Sequence, residues 1–281
     1  MNRRTFLSGL TTASATAALG CRTQGHPGDA STATATPASA SSSPILRVLT
    51  YNLHHGEGVD GRLDLERIAA VIRSANPDLV ALQEIDRRAT RTGSVDQAAE
   101  YIRLTQLQGW YGAAMPFQGG EYGQALLARW PLLEPRVVRL PGTTSREPRI
   151  AVTAKVEVPG FGMLRWTGLH LDATHADNDR WDQAGALLKE FGHDGLPTLL
   201  AGDFNATPDS RVMKRLLEPG AGWVDTAGAM AAPTMPAEAP TSRIDYVLAS
   251  PVGAWRTVES RVLPEAVASD HRPLLAVLGK I

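Results

Sequence analysis

Apolar residues recur along this chain in two rhythms. One is a short continuous run bounded by polar residues; the other is a stripe at helical spacing. Residues 46–51 form a bulky run ending in the polar Asn52, the mark of a strand. Asp64 then precedes Leu65, Ile68, Ala69 and Ile72, an i, i+3, i+4, i+7 stripe behind a capping residue. That spacing predicts an amphipathic helix stopped at Asn76-Pro77. The run 79–82 predicts a buried strand leading into Gln83 and Glu84, and 96–108 reads as a helix. Strands are expected over 125–128, 137–140, 150–158, 164–171 and 198–201, and later over 244–248, 255–263 and 274–278. Two further helices are expected over 176–191, with Trp181, Ala184, Leu187 and Leu188 on one face, and over about 209–217.

One arrangement repeats. An apolar strand runs into a polar cluster at Asn52, at Glu84, at His170 and at Asp203 with Asn205. A further cluster, Asp270-His271, stands just before the last strand. Strand ends are rigid, so two packed sheets with helices outside would let these clusters converge. The pattern predicts α and β elements with many strands and leaves the topology open.

The first 44 residues follow neither rhythm. Adjacent arginines Arg3 and Arg4 precede a mild apolar run over 7–19, as in a twin-arginine export signal. Ala18-Leu19-Gly20-Cys21 resembles a lipoprotein cleavage box, so lipidation of Cys21 and plain signal cleavage are both open. Residues 25–44 are rich in Ser, Thr, Ala and Pro and nearly free of bulky side chains; such a stretch cannot offset its ordering entropy. The expected organisation is an export signal over 1–21, a flexible tether over 22–44 and one folded domain over 45–281. An extracytoplasmic location follows from it: periplasmic, secreted or lipid-anchored.

Composition narrows the function classes. Of the 281 residues 43% are hydrophobic and 20% charged, as in ordinary globular proteins. The formal charge is −1, so the basic footprint of a dedicated nucleic-acid binder is missing. The single cysteine offers neither a disulfide framework nor a thiolate zinc site.

Seven short motifs stand in order: Thr50-Tyr51-Asn52, Gln83-Glu84, Ser145-Arg146-Glu147-Pro148-Arg149, Leu169-His170, Gly202-Asp203-Phe204-Asn205-Ala206, Arg243-Ile244-Asp245-Tyr246 and Ser269-Asp270-His271-Arg272-Pro273. Singly each is weak; Gly-Asp-Phe-Asn alone fits a tight turn. Together they resemble the endonuclease/exonuclease/phosphatase superfamily over nearly the whole domain. The resemblance implies an α+β fold, a four-layered α/β/β/α sandwich of two packed mixed sheets flanked by helices. It also implies a metal-dependent hydrolase of phosphodiesters, using magnesium with manganese or calcium as alternatives.

By the same resemblance, Asn52, Glu84 and Asp270 belong at the metal. Asp203 activates the attacking water and Asn205 holds the phosphate. His170 contacts the phosphate or donates a proton to the leaving oxygen. His271 contacts the phosphate with Asp245 orienting it. Arg146, Glu147 and Arg149 face the site, with either arginine able to grip phosphate oxygens. Tyr122 is a wall residue. Gln124 departs from relatives that carry Asn there, and His54 stands where abasic-site endonucleases carry Asp. His54 and His55 are read as head-group contacts or as a solvated turn. The expected substrate is a nucleic acid or a lipid or small-molecule ester, acted on by a monomer; a catalytically inactive binding module is the reading from another class.

Overall fold

A computed structural model describes residues 43–192 and 195–281. The expected signal, Cys21 and the tether up to residue 42 lie outside the described residues.

Two six-stranded sheets carry the fold. The first runs in the order β11 (Trp255–Val262), β12 (Leu274–Lys280), β1 (Ile45–Asn52), β2 (Leu79–Arg87), β4 (Gly120–Ala128) and β3 (Gln108–Phe117). The second runs β5 (Leu133–Arg139), β6 (Ile150–Val158), β7 (Gly162–His170), β8 (Thr198–Asp203), β10 (Asp245–Ser250) and β9 (Val224–Asp225). Each sheet contains one parallel pair, β1–β2 and β7–β8, and is otherwise antiparallel. Parallel neighbours need a crossover, supplied by α1 (Leu65–Ala75) in the first sheet and α3 (Asn178–Phe191) in the second.

Continuous apolar runs are explained by burial on both faces. Successive side chains on a strand point to opposite sides. Leu79 and Ala81 therefore join the core between the sheets with Leu126, Trp166, Leu199 and Val247. Val80 and Leu82 join a second core under α1 and α2 (Gln97–Thr105), with Ile68, Ile72 and Tyr101. Leu200 and Leu248 pack under α3 and α4 (Arg211–Leu216), with Leu187, Phe191 and Met213. The result is the expected four-layered sandwich.

Two local expectations fail. The helix expected through Gln108 stops at Thr105, because Gln106 adopts a left-handed conformation and Gln108 opens β3. That strand lies at the sheet edge and is half-exposed, so it carries no clean alternation. Trp181 and Leu188 are half-buried on α3, while Arg180 and Gln183 are buried. Arg180 Nη1 donates to the carbonyls of Asp172 (2.7 Å) and Thr174 (2.6 Å). Gln183 accepts from the Asp172 amide and donates to the Pro141 carbonyl, both at 3.0 Å. These two α3 side chains clasp loops instead of filling a core.

Candidate active site

The parallel pairs end at the same rim. Asn52 is paired in register with Gln83, and His170 with Asp203, so the carboxy ends of both crossovers present polar side chains side by side. A cleft of about 370 Å³ opens there, lined among others by Glu84, Tyr122, Arg149, Asp203, Asn205 and His271.

Local backbone geometry aims these groups. Glu84 has φ 58° and sits where the β2–β4 register shifts, so Gln83 and Glu84 together oppose Gln124. A β-bulge of this kind re-aims a side chain, here out of the sheet and into the cleft. Gln124 lies beneath it, buried, donating to the Ile150 carbonyl at 3.0 Å. Asn205, at φ 47°, is held in a tight turn by its own amide donating to Asp203 Oδ1 at 2.8 Å. Gly202 precedes it because a Cβ there would stand 2.0 Å from the Leu169 carbonyl oxygen.

Asp203 is the hub. Its Oδ2 accepts from Asn52 Nδ2 at 3.1 Å and faces His170 Nε2 at 3.4 Å and His271 Nε2 at 3.7 Å. Burial, with the Asp245 charge next in weight, pushes this carboxyl up to about 7. Burial alone would lower His271, but Asp245, bonded to Nδ1 at 2.9 Å, outweighs it and raises the imidazole to about 10. His271 is therefore a cation with Nε2–H pointing at Asp203. His170 moves the other way, well below its ordinary value, through burial and then the positive neighbours Arg149 and His271. As a neutral ring its Nε2 accepts from Asn205 Nδ2 at 3.0 Å, which assigns its proton to Nδ1.

Two carboxylates suit a hard cation. Glu84 Oε1 accepts from Asn52 Nδ2 at 3.1 Å, and among the described residues Oε2 has no partner. Burial raises the Glu84 carboxyl, and Asp270 raises it further. Two like charges on one cleft, with unpaired oxygens, favour a bound divalent ion. A tighter group, Asp203, Asp245 and His271, has donor atoms all within 4.8 Å of one another. It suits a metal less, since Asp245 consumes His271 Nδ1 and the ring is already charged. Asn52 is buried under the cleft. Its amide ties Glu84 to Asp203, and its Oδ1 accepts from the His54 amide at 3.1 Å.

The remaining expected residues separate. Arg149 and Glu147 line the cleft as an ion pair at 2.7 Å. Arg146 turns away to Asp179 (2.9 Å) and Asp172 (3.6 Å). His54 and His55 both have left-handed backbones and lie outside the lining, with His54 Nδ1 on the Glu57 carbonyl at 3.1 Å. The structure also brings in Arg91, Met115, Phe117, Ala173 and Met235 as walls, none of which the sequence pattern marked. Met115 and Phe117 belong to the edge strand β3, and Arg91, Ala173 and Met235 to connecting segments, where no periodicity marks a residue.

Comparison with known proteins agrees with this geometry. The Endonuclease/Exonuclease/phosphatase family profile matches residues 49–271. An endonuclease/exonuclease/phosphatase from Beutenbergia cavernae is 30% identical, with TM-score 0.72, over 84% of this chain and 72% of its own. The Bacteroides thetaiotaomicron mannosyl-6-phosphatase Bt3783 shares the fold at TM-score 0.69 and 20% identity, over 83% of this chain and 99% of its own. The human Nocturnin catalytic domain with bound sulfate shares it at TM-score 0.67 and 21% identity, over 85% and 94%. Among curated protein sequences none matches the chain. The family is one of phosphoester hydrolases that generally depend on divalent metal. With its motifs gathered on one rim and the family profile spanning nearly all of the folded domain, this chain belongs to the endonuclease/exonuclease/phosphatase family.

Proposed function

We propose that the protein is an exported, divalent-metal-assisted phosphodiesterase. The observation that carries this reading is Asp203 Oδ2, which stands between Asn52 and the imidazoles of His170 and His271 at the floor of an open cleft.

A carboxyl raised to about 7 is matched to taking a proton from water near neutral pH. Asp203 orients the attacking water and accepts its proton. His271, charged and fixed by Asp245, donates from Nε2 to a phosphoryl oxygen as negative charge grows there. Asn205 Nδ2 directs both its hydrogens to His170 Nε2 and the Leu171 carbonyl, so its amide reaches the same phosphate by exchanging one of these bonds. Arg149 supplies a second cationic donor from the wall. Glu84 and Asp270 would hold a hard divalent ion, magnesium before manganese or calcium, which would supply Lewis-acid charge to the reaction. Neutral His170 in this arrangement supports Asn205 more than it serves as a proton donor.

A small-molecule or lipid-headgroup ester is favoured over a nucleic acid. The cleft is compact, and Glu84, Glu147, Asp203 and Asp270 outnumber Arg91, Arg149 and His271 along it. Such a site tolerates one phosphate better than a run of them. Export follows from the paired arginines Arg3 and Arg4, and surface anchoring from Cys21.

The test is turnover by the purified domain with magnesium, manganese or calcium. Plasmid DNA, RNA, bis-p-nitrophenyl phosphate, sphingomyelin and inositol phosphates are the substrates. Metal-dependent cleavage of a diester, abolished by Asp203→Ala, is expected. No turnover of any substrate with any of the three metals rejects the reading.

A further inference from the structure

We infer that Arg91 is a specificity-determining residue. It donates to an oxygen on the alcohol portion of the ester and excludes quaternary-ammonium head groups from the cleft. This rests on the phosphodiesterase reading above and names the substrate class for that same site.

Arg91 lies just after β2, in the cleft lining beside Tyr122 and Phe117. Its guanidinium is fixed from behind. Nε donates to Asp86 Oδ2 at 2.7 Å and Nη2 to Asp86 Oδ1 at 2.9 Å, and Asp86 is fully buried. The segment is also pinned through its backbone. The Arg91 amide donates to Gln118 Oε1 and the Thr90 amide to the Gln118 carbonyl, both at 3.0 Å. A forked, doubly anchored guanidinium needs little ordering when a ligand arrives. Among the described residues, Nη1 has no hydrogen-bond partner, so the donor left over is the one available to a ligand.

The same guanidinium decides what the aromatic wall can bind. Its carbon stands 4.5 Å from the Phe117 ring centre and 5.8 Å from that of Tyr122. Aromatic faces attract cations, and a trimethylammonium group would ordinarily use them. Here Arg91 already occupies them, so a second cation finds no open ring face. An oxygen acceptor, by contrast, meets an unpaired N–H next to apolar Met115 and Phe117. Asp86 offsets the arginine's charge, so a neutral hydroxyl suffices and a second anion is not required. A polyol-type alcohol meets these conditions; a choline-type alcohol does not.

Glycerophosphoinositol, glycerophosphocholine and bis-p-nitrophenyl phosphate, which has no alcohol oxygen to spare, separate the possibilities. Wild type is expected to favour the inositol ester over the choline ester by at least about tenfold in kcat/KM. Arg91→Lys keeps a charge for Asp86 but lacks the planar fork that pairs backward and donates forward at once, and should erase that preference through KM. It should cost bis-p-nitrophenyl phosphate about threefold or less. The double variant Asp86→Asn/Arg91→Met removes the pair together, leaves no orphaned buried charge, and should behave alike. Binding of myo-inositol 1-phosphate and phosphocholine by titration calorimetry, in the presence of magnesium, reads recognition even without turnover. If wild type hydrolyses none of the esters yet binds the inositol phosphate selectively through Arg91, the phosphodiesterase reading falls and this one stands. A wild type that binds or cleaves both esters equally, or variants that slow all three substrates to the same extent, would overturn it. An added second phosphate on the inositol that tightens binding about tenfold through Arg91 would overturn the neutral-acceptor class in favour of an anion.

Discussion

Asn52 and Asp203 are separated by 151 positions and belong to different sheets, yet Asn52 Nδ2 donates to Asp203 Oδ2 at 3.1 Å while also holding Glu84 Oε1 at 3.1 Å. One buried amide thus fixes the distance between the proposed metal ligand and the proposed base. Replacing it should disturb both at once. Asn52→Ala is expected to lower kcat by about a hundredfold, the scale of losing a preorganised donor. Its stability cost should be about 1–3 kcal/mol from the unpaired acceptors. Steady-state kinetics beside a urea melt checks both; a normal rate would dissociate Asn52 from the chemistry.

Asp203→Asn and His271→Gln should each reduce turnover by about 10²–10⁴-fold, with little change in fold. Circular dichroism and single-turnover rates are the measurements. Full activity in either variant removes that side chain from the proposed mechanism.

Stability should respond to pH in a definite direction when chelator keeps cations away. His271 has its folded value raised to about 10 from an ordinary 6.5, so its contribution is complete below about 6.5 and is lost as pH climbs through 10. Below that window two buried groups oppose each other. Raised Asp203 stabilises at low pH and loses its contribution through about 7, while lowered His170 gains as pH rises. The free energy of unfolding should therefore fall between pH 7 and 10, by at most about 1.4 kcal/mol per pH unit for the one proton, and the melting temperature with it. His271→Gln should flatten that slope. An equally steep decline in the variant would assign it elsewhere.

Arg146 and Arg149 should behave differently despite their adjacency. Arg149 sits on the cleft, so Arg149→Ala is expected to cost about tenfold or more in kcat/KM. Arg146 ties its loop to Asp172 and Asp179, so Arg146→Ala should chiefly lower the melting temperature. Kinetics and thermal melts on the pair distinguish them, and the reverse result would exchange their roles.

Much of this was readable in the sequence, for an identifiable reason. Asp64, with its stripe of Leu65, Ile68, Ala69 and Ile72, marks α1 because cap and periodicity agree, and its side chain does accept from the Arg67 amide. The continuous runs mark β2 and β8 because both faces of those strands are buried. The polar ends of those strands marked Glu84, Asp203 and Asn205. What escaped was non-local. The half-exposed edge strand β3 has no alternation to read. Arg91 enters the cleft only because Asp86 and the β3–β4 turn hold it there. Arg146 and Arg149 look equivalent in sequence, and only the position of α3, which carries Asp179, separates them.

Occupancy of the cation site should also be visible as heat. Saturating magnesium, manganese or calcium is expected to raise the melting temperature, since a ligand of the folded state stabilises it by mass action. Glu84→Gln and Asp270→Asn should each reduce that shift. Shifts unchanged in both would place the ion elsewhere, with Asp203, Asp245 and His271 the next candidates.

The last strand, β12, is inserted between β11 and β1, one place in from the edge of its sheet, and His271 stands three positions before it. A chain lacking β12 can build neither that sheet nor the histidine's place beside Asp203. Closing the sheet and completing the polar rim are therefore one event, and neither is reached without the other.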